Sequence, residues 1–117
     1  MSGKTSYLAG LAAEESVARS YRARGCSIIA QRWRGQRGEI DIVARDGDTV
    51  VFIEVKKSKN FARAAERLSA AQINRLYTTA EQYLCTLPTG LQTNARFDVV
   101  LLDAMGQHQI VENALCA

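Results

Sequence analysis

The sequence predicts an α/β fold in which helices flank a mixed central β-sheet. Residues 4–24 and 67–85 have the apolar spacing of amphipathic helices. Three short runs with strand character follow the first helix, and a fourth follows the second. A helix between two strands supplies the crossover that parallel pairing requires, so the third and fourth strands are predicted to be parallel neighbours.

The first helix is predicted from its apolar positions and from Gly25, a residue suited to a helix C-terminus. The apolar positions are Tyr7, Leu8, Leu11, Val17, Ala18 and Tyr21. At about 100° per residue, Glu14 falls near the centre of this arc, whereas Glu15 lies toward its edge. A carboxylate among core-facing side chains needs a partner, so Glu14 is a candidate functional residue.

The strands are predicted from short β-rich runs and from the turn signals between them. The first three are "CSIIAQRW" (26–33), "EIDIVAR" (39–45) and "TVVFIEV" (49–55). Asp46-Gly47-Asp48 separates the second from the third, and an Asp-Gly step is a strong hairpin signal. After the second helix, Pro88 and Gly90 break the chain before the strand "RFDVVLLD" (96–103) and the weaker strand "HQIVEN" (108–113).

The parity of the hairpin predicts an acidic cluster. With a two-residue loop, either Asp46-Gly47 or Gly47-Asp48, odd-numbered residues of the second strand lie beside even-numbered residues of the third. The side chains that then share one face are Glu39, Asp41, Glu54 and Lys56. The second loop places Asp41 directly opposite Glu54, with Cβ atoms ~5 Å apart. A three-residue loop without a bulge would separate them.

Carboxylates on a partly apolar face repel one another, and a divalent cation would remove the conflict. Oxygen ligands with room for water and phosphate favour Mg²⁺ or Mn²⁺ over zinc. Lys56 projects into the same site, where its ammonium can hold a phosphate oxygen or position an attacking water. The alternative is a solvent-exposed strand end that carries an ion-pair ladder.

Composition favours one domain over residues 1–117, since the chain is short and 47% apolar. The sequence has neither an apolar run of membrane-spanning length nor an export signal, so we expect a cytoplasmic protein without a membrane partner. Cys26, Cys85 and Cys116 are widely spaced and odd in number, which disfavours a disulfide framework and a zinc site.

Basic residues are concentrated in one part of the chain. Residues 22–67 hold eleven Lys or Arg against six acidic residues. The candidate phosphate contacts are Arg32, Arg34, Arg37, Lys57, Lys59 and Arg63. Such a segment suggests a polyanion surface, and the alternative is a well-mixed solvated surface. Trp33 could stack on a base or be a half-buried strand aromatic. His108 has no Ser or Cys at a recognisable motif spacing, which disfavours triad chemistry.

The sequence resembles a known family in several segments. "GEIDIVARDGDTVVFIEVKKS" (38–58) is similar to the signature of the YraN-type family of small bacterial proteins. Its D…ExK core resembles the PD-(D/E)xK nuclease superfamily, which includes archaeal Holliday junction resolvases. The family's two helices and late strand are matched by "GLAAEESVARSYRARGCSII" (10–29), "AQINRLYTTAEQYL" (71–84) and "RFDVV" (96–100). The resemblance implies a restriction-endonuclease-like core with the order αβββαβ, which agrees with the order read from the residues.

The resemblance also implies a function, a metal-dependent DNA endonuclease that acts on branched DNA in some relatives. Asp41, Glu54 and Glu14 would hold Mg²⁺ or Mn²⁺, with Lys56 catalytic and Glu39 supporting the metal ligands. Instead of binding metal, Glu14 could be bonded to a neighbouring backbone group or arginine. Related resolvases act as dimers, so a homodimer is one of the oligomeric states that the sequence leaves open. The rival function is a non-catalytic nucleic-acid-binding or scaffolding protein that retains the fold.

Three positions depart from the family pattern. Ala13 stands where a glycine is usual, and Ser58 stands where an arginine usually follows the E-V-K-x motif. Gln72 replaces a usual lysine, although a glutamine on this helix resembles the Q-x-x-x-x-Y element of RecB-like nucleases. None of these changes removes a proposed metal ligand, and Gln72 is a candidate supporting residue.

Overall fold

The computed structural model describes residues 3–114 and the side chains of residues 8–114. Its elements are α1 (Gly3–Ala23), β1 (Ser27–Arg34), β2 (Glu39–Asp46), β3 (Thr49–Lys57), α2 (Phe61–Ala65), α3 (Ala70–Leu84), β4 (Ala95–Leu102) and β5 (His108–Val111), with a 3-10 turn at Gly90–Gln92. This order confirms the α/β class and each predicted strand. Tyr7, predicted to lie on the apolar face of the first helix, and Cys116 are outside the residues whose side chains the structure describes.

The sheet has the strand order β1-β2-β3-β4-β5, and only β3 and β4 pair in parallel. The crossover between them runs through α2 and α3, as the spacing of the strands predicted. Because β3 is the middle strand, both of its faces are covered and its central residues are buried. The acidic motif at its C-terminal end therefore begins inside the protein.

Two helices cover opposite faces of the sheet. On one face, α1 packs Val17 and Ala18 against a core that includes Ile53 of β3. On the other face, α3 packs Leu76 against a core that includes Phe52, the neighbour of Ile53 along the strand. The alternation of side chains along β3 thus separates the two cores. The end of β3 therefore has α1 on one face and α3 on the other.

The second helical segment differs from the prediction of one helix over 67–85. Helix α3 begins only after Ser69, whose hydroxyl caps it by accepting a hydrogen bond from Gln72 N at 3.1 Å. The preceding residues form a separate short helix, α2, which is capped by Asn60. Ala64 of α2 packs against Val99 of β4. The Ser69 cap therefore starts this helix at Ala70 rather than at residue 67, and the short helix α2, which lies before the predicted range, was not predicted.

Within the described part of the chain, no helix is long and apolar enough to cross a membrane. Cys26 is buried, Cys85 is exposed, and both are free thiols.

Candidate active site

The hairpin has the second of the two predicted registers. Asp46 pairs with Thr49, which leaves a two-residue loop, and Val43 pairs with Phe52. Gly47 adopts φ 60° in this loop, a left-handed conformation that glycine takes without strain. The same register, continued along the strands, brings Asp41 beside Glu54.

The β2–β3 ladder ends one pair before Asp41, at Ile42 and Ile53. Beyond this point the Asp41 side chain takes over from the backbone, because its Oδ2 accepts a hydrogen bond from Val55 N at 2.8 Å. A buried backbone N–H needs an acceptor, and here a carboxylate supplies it. The bond fixes the Asp41 carboxylate at the point where the strands separate.

Glu54 is the most enclosed acidic group of the site. Its side chain is 7% exposed, and its Oε2 accepts from Gln72 Nε2 at 3.1 Å and lies 3.2 Å from Lys56 Nζ. Its Oε1 is buried and has no hydrogen-bond partner among the described residues. An unpaired oxygen in a buried carboxylate is costly, and a cation or a proton would satisfy it.

The electrostatics of the pair favour a proton when no cation is bound. Burial, followed by the charge of Asp41, raises the pKa of Glu54 to about 8, and Lys56 opposes this shift. Burial also raises the pKa of Asp41, although the hydrogen bond from Val55 N opposes it. Burial and the neighbouring charge therefore favour a proton on this pair, most strongly on Glu54.

Glu14 lies on the buried side of α1, as the helical spacing predicted, but both of its oxygens are bound by an arginine. Arg32 Nε and Nη2 donate to Glu14 Oε1 and Oε2, each at 3.0 Å. Burial and then Asp41 raise the pKa of Glu14, whereas Arg32 lowers it. Arg32 is therefore a partner of Glu14 in this structure, and metal binding by Glu14 stays a prediction.

A distortion in β1 produces this contact. Arg32 has φ 52°, which is rare for a residue other than glycine and costs of order 1–3 kcal/mol. The backbone turn makes Arg32 and its neighbour Trp33 both partly buried, where regular alternation would expose one of them. Arg32 reaches Glu14 of α1, while Trp33 packs with Tyr83 of α3 at a centroid distance of 5.2 Å. Trp33 is thus half-buried in the strand, and base stacking by the accessible part of its ring stays a prediction.

One cavity of about 320 Å³ collects most of the predicted site residues. Its walls include Glu14, Glu39, Asp41, Glu54, Lys56, Lys57 and Gln72. We call it the acidic cavity. Glu39 stands at its rim, where it pairs with Arg34 at 3.2 Å. Residues from α1, β2, β3 and α3 meet here because the cavity lies where the β2–β3 ladder ends.

The donor set fits a hard divalent cation in part. Asp41 and Glu54 form a carboxylate pair with an unpaired oxygen, which suits Mg²⁺ or Mn²⁺ with several remaining water ligands. Within residues 8–114, however, no three His, Cys, Asp or Glu side chains are grouped closely enough to bind a metal ion. Glu14 would complete the set only after exchanging its Arg32 contact for the cation.

The six predicted phosphate contacts do not form one cluster. Among them only Lys57 lines the acidic cavity, whereas Arg32 and Arg34 are paired with glutamates. Arg37 lines a separate hollow of about 380 Å³ together with Arg75. The other two, Lys59 and Arg63, are exposed around the start of α2.

Two polar contacts of α1 were not predicted. The ring nitrogens of His108 lie 3.0 Å from Ser16 Oγ and 3.2 Å from Ser20 Oγ, which ties β5 to α1. Tyr21 OH donates to Asp98 Oδ2 at 2.7 Å, and Asp98 is fully buried. The signal for the second contact is an aspartate within an otherwise apolar strand.

Comparison with known proteins agrees with the family resemblance found in the sequence. The model of the uncharacterised protein family UPF0102 matches residues 13–102. A UPF0102 protein of Cereibacter sphaeroides strain ATCC 17029 is 54% identical over the whole of both chains. One from Ruegeria pomeroyi is 54% identical over 96% of this chain and 91% of its own, and one from Dinoroseobacter shibae is 42% identical over 95% and 83%. The chain therefore belongs to the UPF0102 family, the YraN-type family that its sequence resembles.

Proposed function

We propose that the protein is a metal-dependent nuclease that hydrolyses phosphodiester bonds in DNA. The observation that carries the proposal is the meeting of Asp41, Glu54 and Lys56 at one cavity, with Glu54 Oε1 buried and unpaired. An ion-pair ladder at an exposed strand end, the plainer alternative, would leave these groups in water. Instead, the Lys56 side chain is only 17% exposed.

The strand order supports a place in the PD-(D/E)xK superfamily. A helix, three strands, helices and a strand parallel to the third match the αβββαβ core. The aspartate and the E-x-K motif stand on the second and third strands, as in that pattern. Gln72 extends the match to α3, because its amide reaches Glu54.

Asp41 and Glu54 would hold the cation, and their fixed positions come from the backbone bond of Asp41 and the amide bond to Glu54. Bound there, Mg²⁺ would stabilise charge on the phosphate and make a bound water more acidic. Lys56 would then stand beside the same carboxylates and orient the attacking water or a phosphate oxygen. Gln72, which is uncharged, would support Glu54 without competing for the phosphate.

The test is cleavage of a panel of DNA substrates with Mg²⁺ and with Mn²⁺. The panel contains duplex, single-stranded, flap and four-way-junction DNAs of equal length. Wild type should cleave at least one of them, and Lys56→Met should lose most cleavage while it binds DNA within a few-fold of wild type. Arg19→Met, a matched loss of one exposed positive charge on α1, should cleave like wild type.

A second function is favoured by one observation, the double contact that holds Glu14 on Arg32. A protein that only binds nucleic acid could keep this contact permanently. No cleavage of any substrate by wild type, together with a large loss of DNA binding in Lys56→Met, would replace the nuclease with this binding protein.

A further inference from the structure

An open apolar groove of about 700 Å³ lies next to the acidic cavity. Its wall is formed by the end of β1, the following loop and the C-terminal half of α3. Trp33 and Leu91 are the large apolar side chains that line it, and Leu91 is 61% exposed. We call it the Trp33 groove. The groove is open to solvent and more apolar than polar, a surface that a flat ligand could cover.

A close backbone approach builds one wall of the groove. A Cβ atom at Gly35 would collide with Gln82 Oε1, so a larger residue there would displace the Gln82 side chain. The same Gln82 oxygen accepts a hydrogen bond from Gln36 N at 2.9 Å. This hydrogen bond connects the loop to α3 and helps to hold the wall of the groove in place.

The tryptophan is held in a fixed orientation. Its ring packs edge-to-face with Tyr83, at an interplanar angle of 89°, while part of it remains accessible from the groove. A fixed aromatic ring binds a flat ligand with little loss of conformational entropy. The polar groups at the groove, among them Glu81 and Gln82, offer hydrogen-bond partners to the edge of such a ligand.

Arginine side chains lie at both ends of the groove, and Glu81 lines its wall. Arg34 lines it and also pairs with Glu39 at the rim of the acidic cavity, so one ion pair separates the two sites. At the other end, Thr78 is shared with the hollow that contains Arg37 and Arg75. A flat apolar site between basic groups matches a nucleotide chain, whose bases stack and whose phosphates are anionic.

We infer that the Trp33 groove binds an unstacked nucleobase of a DNA strand whose neighbouring phosphate enters the acidic cavity. The inference rests on the proposed function for the identity of the ligand and deepens it by naming the substrate class. A base inside a regular duplex cannot reach the groove without leaving its stack, which costs a few kcal/mol. The substrate is therefore DNA with an unpaired segment beside the bond that is cut.

The test measures binding without cleavage, in the presence of EDTA. Trp33 is the single tryptophan of the chain, so tryptophan fluorescence, excited selectively over the tyrosines, reports on the groove. A single-stranded oligonucleotide should quench this fluorescence, whereas a blunt duplex with the same number of phosphates should leave it nearly unchanged. A single strand with abasic sites should bind about tenfold more weakly, because it keeps the phosphates but loses the stacking.

Filling the groove provides a second, independent measurement. Thr78→Phe should weaken binding of the intact strand and leave binding of the abasic strand unchanged. Gln109→Phe is the matched control, since it adds the same ring to an exposed position of β5, at the opposite edge of the sheet from Trp33. Trp33→Phe keeps an aromatic ring and should retain most of the preference for the intact strand.

The outcomes separate this inference from the proposed function. Equal binding of intact and abasic strands, with no change in fluorescence, overturns the inference even if the protein cleaves DNA. Fluorescence that changes with protein concentration in the absence of DNA would assign the groove to a second copy of the chain and also overturn it. Quenching by single strands without cleavage of any substrate would retain the groove and remove the nuclease.

Discussion

At the scale of single residues, Asp41 has two roles that a mutation must separate. Its carboxylate accepts the hydrogen bond of Val55 N, and it is also one of the two proposed metal ligands. Replacement by alanine would leave a buried N–H without an acceptor and destabilise the strand end by about 1–3 kcal/mol. Asparagine can keep the bond through its carbonyl oxygen while it removes the charge, so it is the informative substitution.

We predict that Asp41→Asn abolishes Mn²⁺ binding while the protein stays folded. The reason is that the remaining carboxylate, Glu54, cannot hold the ion alone in a buried site. Calorimetric titration with Mn²⁺ measures this, and Asp48→Asn, in the exposed hairpin loop, is the matched control. Equal Mn²⁺ affinity in wild type and Asp41→Asn would rule out the proposed ligand pair.

Glu54 predicts a pH dependence of stability. Its pKa is raised from 4.5 to about 8, so between these values the folded state holds more protons than the unfolded state. The free energy of unfolding must then fall as the pH rises. Glu54→Gln removes the titrating carboxyl group, so the free energy of unfolding of this variant should not fall in this way. At about pH 5 we expect the variant to be as stable as wild type. At about pH 8 we expect it to be more stable by on the order of 1–2 kcal/mol, or ~4–8 °C in Tm.

Thermal unfolding at the two pH values measures the effect, with Glu66→Gln as the control at an exposed position. Added Mn²⁺ should stabilise wild type at the higher pH and should not stabilise Glu54→Gln. A constant difference in Tm between wild type and Glu54→Gln at both pH values would show that the pKa of Glu54 is not raised by folding.

At the scale of elements, the end of β3 changes from acidic to basic within a few residues. Lys57 lines the acidic cavity and Lys59 is exposed just beyond the strand. We predict that Lys57→Ala/Lys59→Ala lowers affinity for junction DNA and reduces the slope of log affinity against log salt by about 2, because two phosphate contacts are lost.

Fluorescence anisotropy at several salt concentrations gives this slope. Arg19→Ala/Arg22→Ala is the matched control, since it removes two exposed positive charges from α1. An unchanged slope in the lysine double mutant would show that this segment does not contact phosphate.

The sequence predicted the elements that carry strong local patterns. Alternating runs gave the strands, and the Asp-Gly step limited the hairpin to two registers, one of which is observed. The same patterns could not predict the left-handed backbone at Arg32, because no glycine or turn residue marks it. They did not predict α2 either, because a helix as short as Phe61–Ala65 does not show a helical period.

The candidate site shows the same division. Parity brought Asp41 and Glu54 together, and the helical spacing of α1 turned Glu14 inward. The partner of Glu14 depends on Arg32, which is adjacent only in three dimensions, so the sequence left that choice open. The groove beside Trp33 also depends on the tertiary packing of the loop on α3, which no local pattern records.

At the scale of the whole molecule, a buried polar cluster connects the first helix to the late strands. Asp98 of β4 accepts hydrogen bonds from Tyr21 OH, Arg96 Nε and Asn113 N. We predict that Tyr21→Phe lowers the free energy of unfolding by about 1–2 kcal/mol, or Tm by roughly 4–8 °C, because one bond to a charged group is lost. Mn²⁺ affinity should stay within twofold. A large loss of Mn²⁺ binding would mean that the cluster positions the acidic cavity.

The same cluster has a consequence for the order in which the protein assembles during synthesis. Tyr21 and Asp98 are 77 residues apart, so α1 leaves the ribosome long before its buried partner exists. The β2–β3 hairpin, which carries Asp41 and Glu54, needs only neighbouring residues and can form first. We expect Glu14 to reach the cavity last, once β4 has emerged and α1 can dock. A nascent chain would therefore present an incomplete acidic site, and any chemistry of that site would begin only when the fold closes.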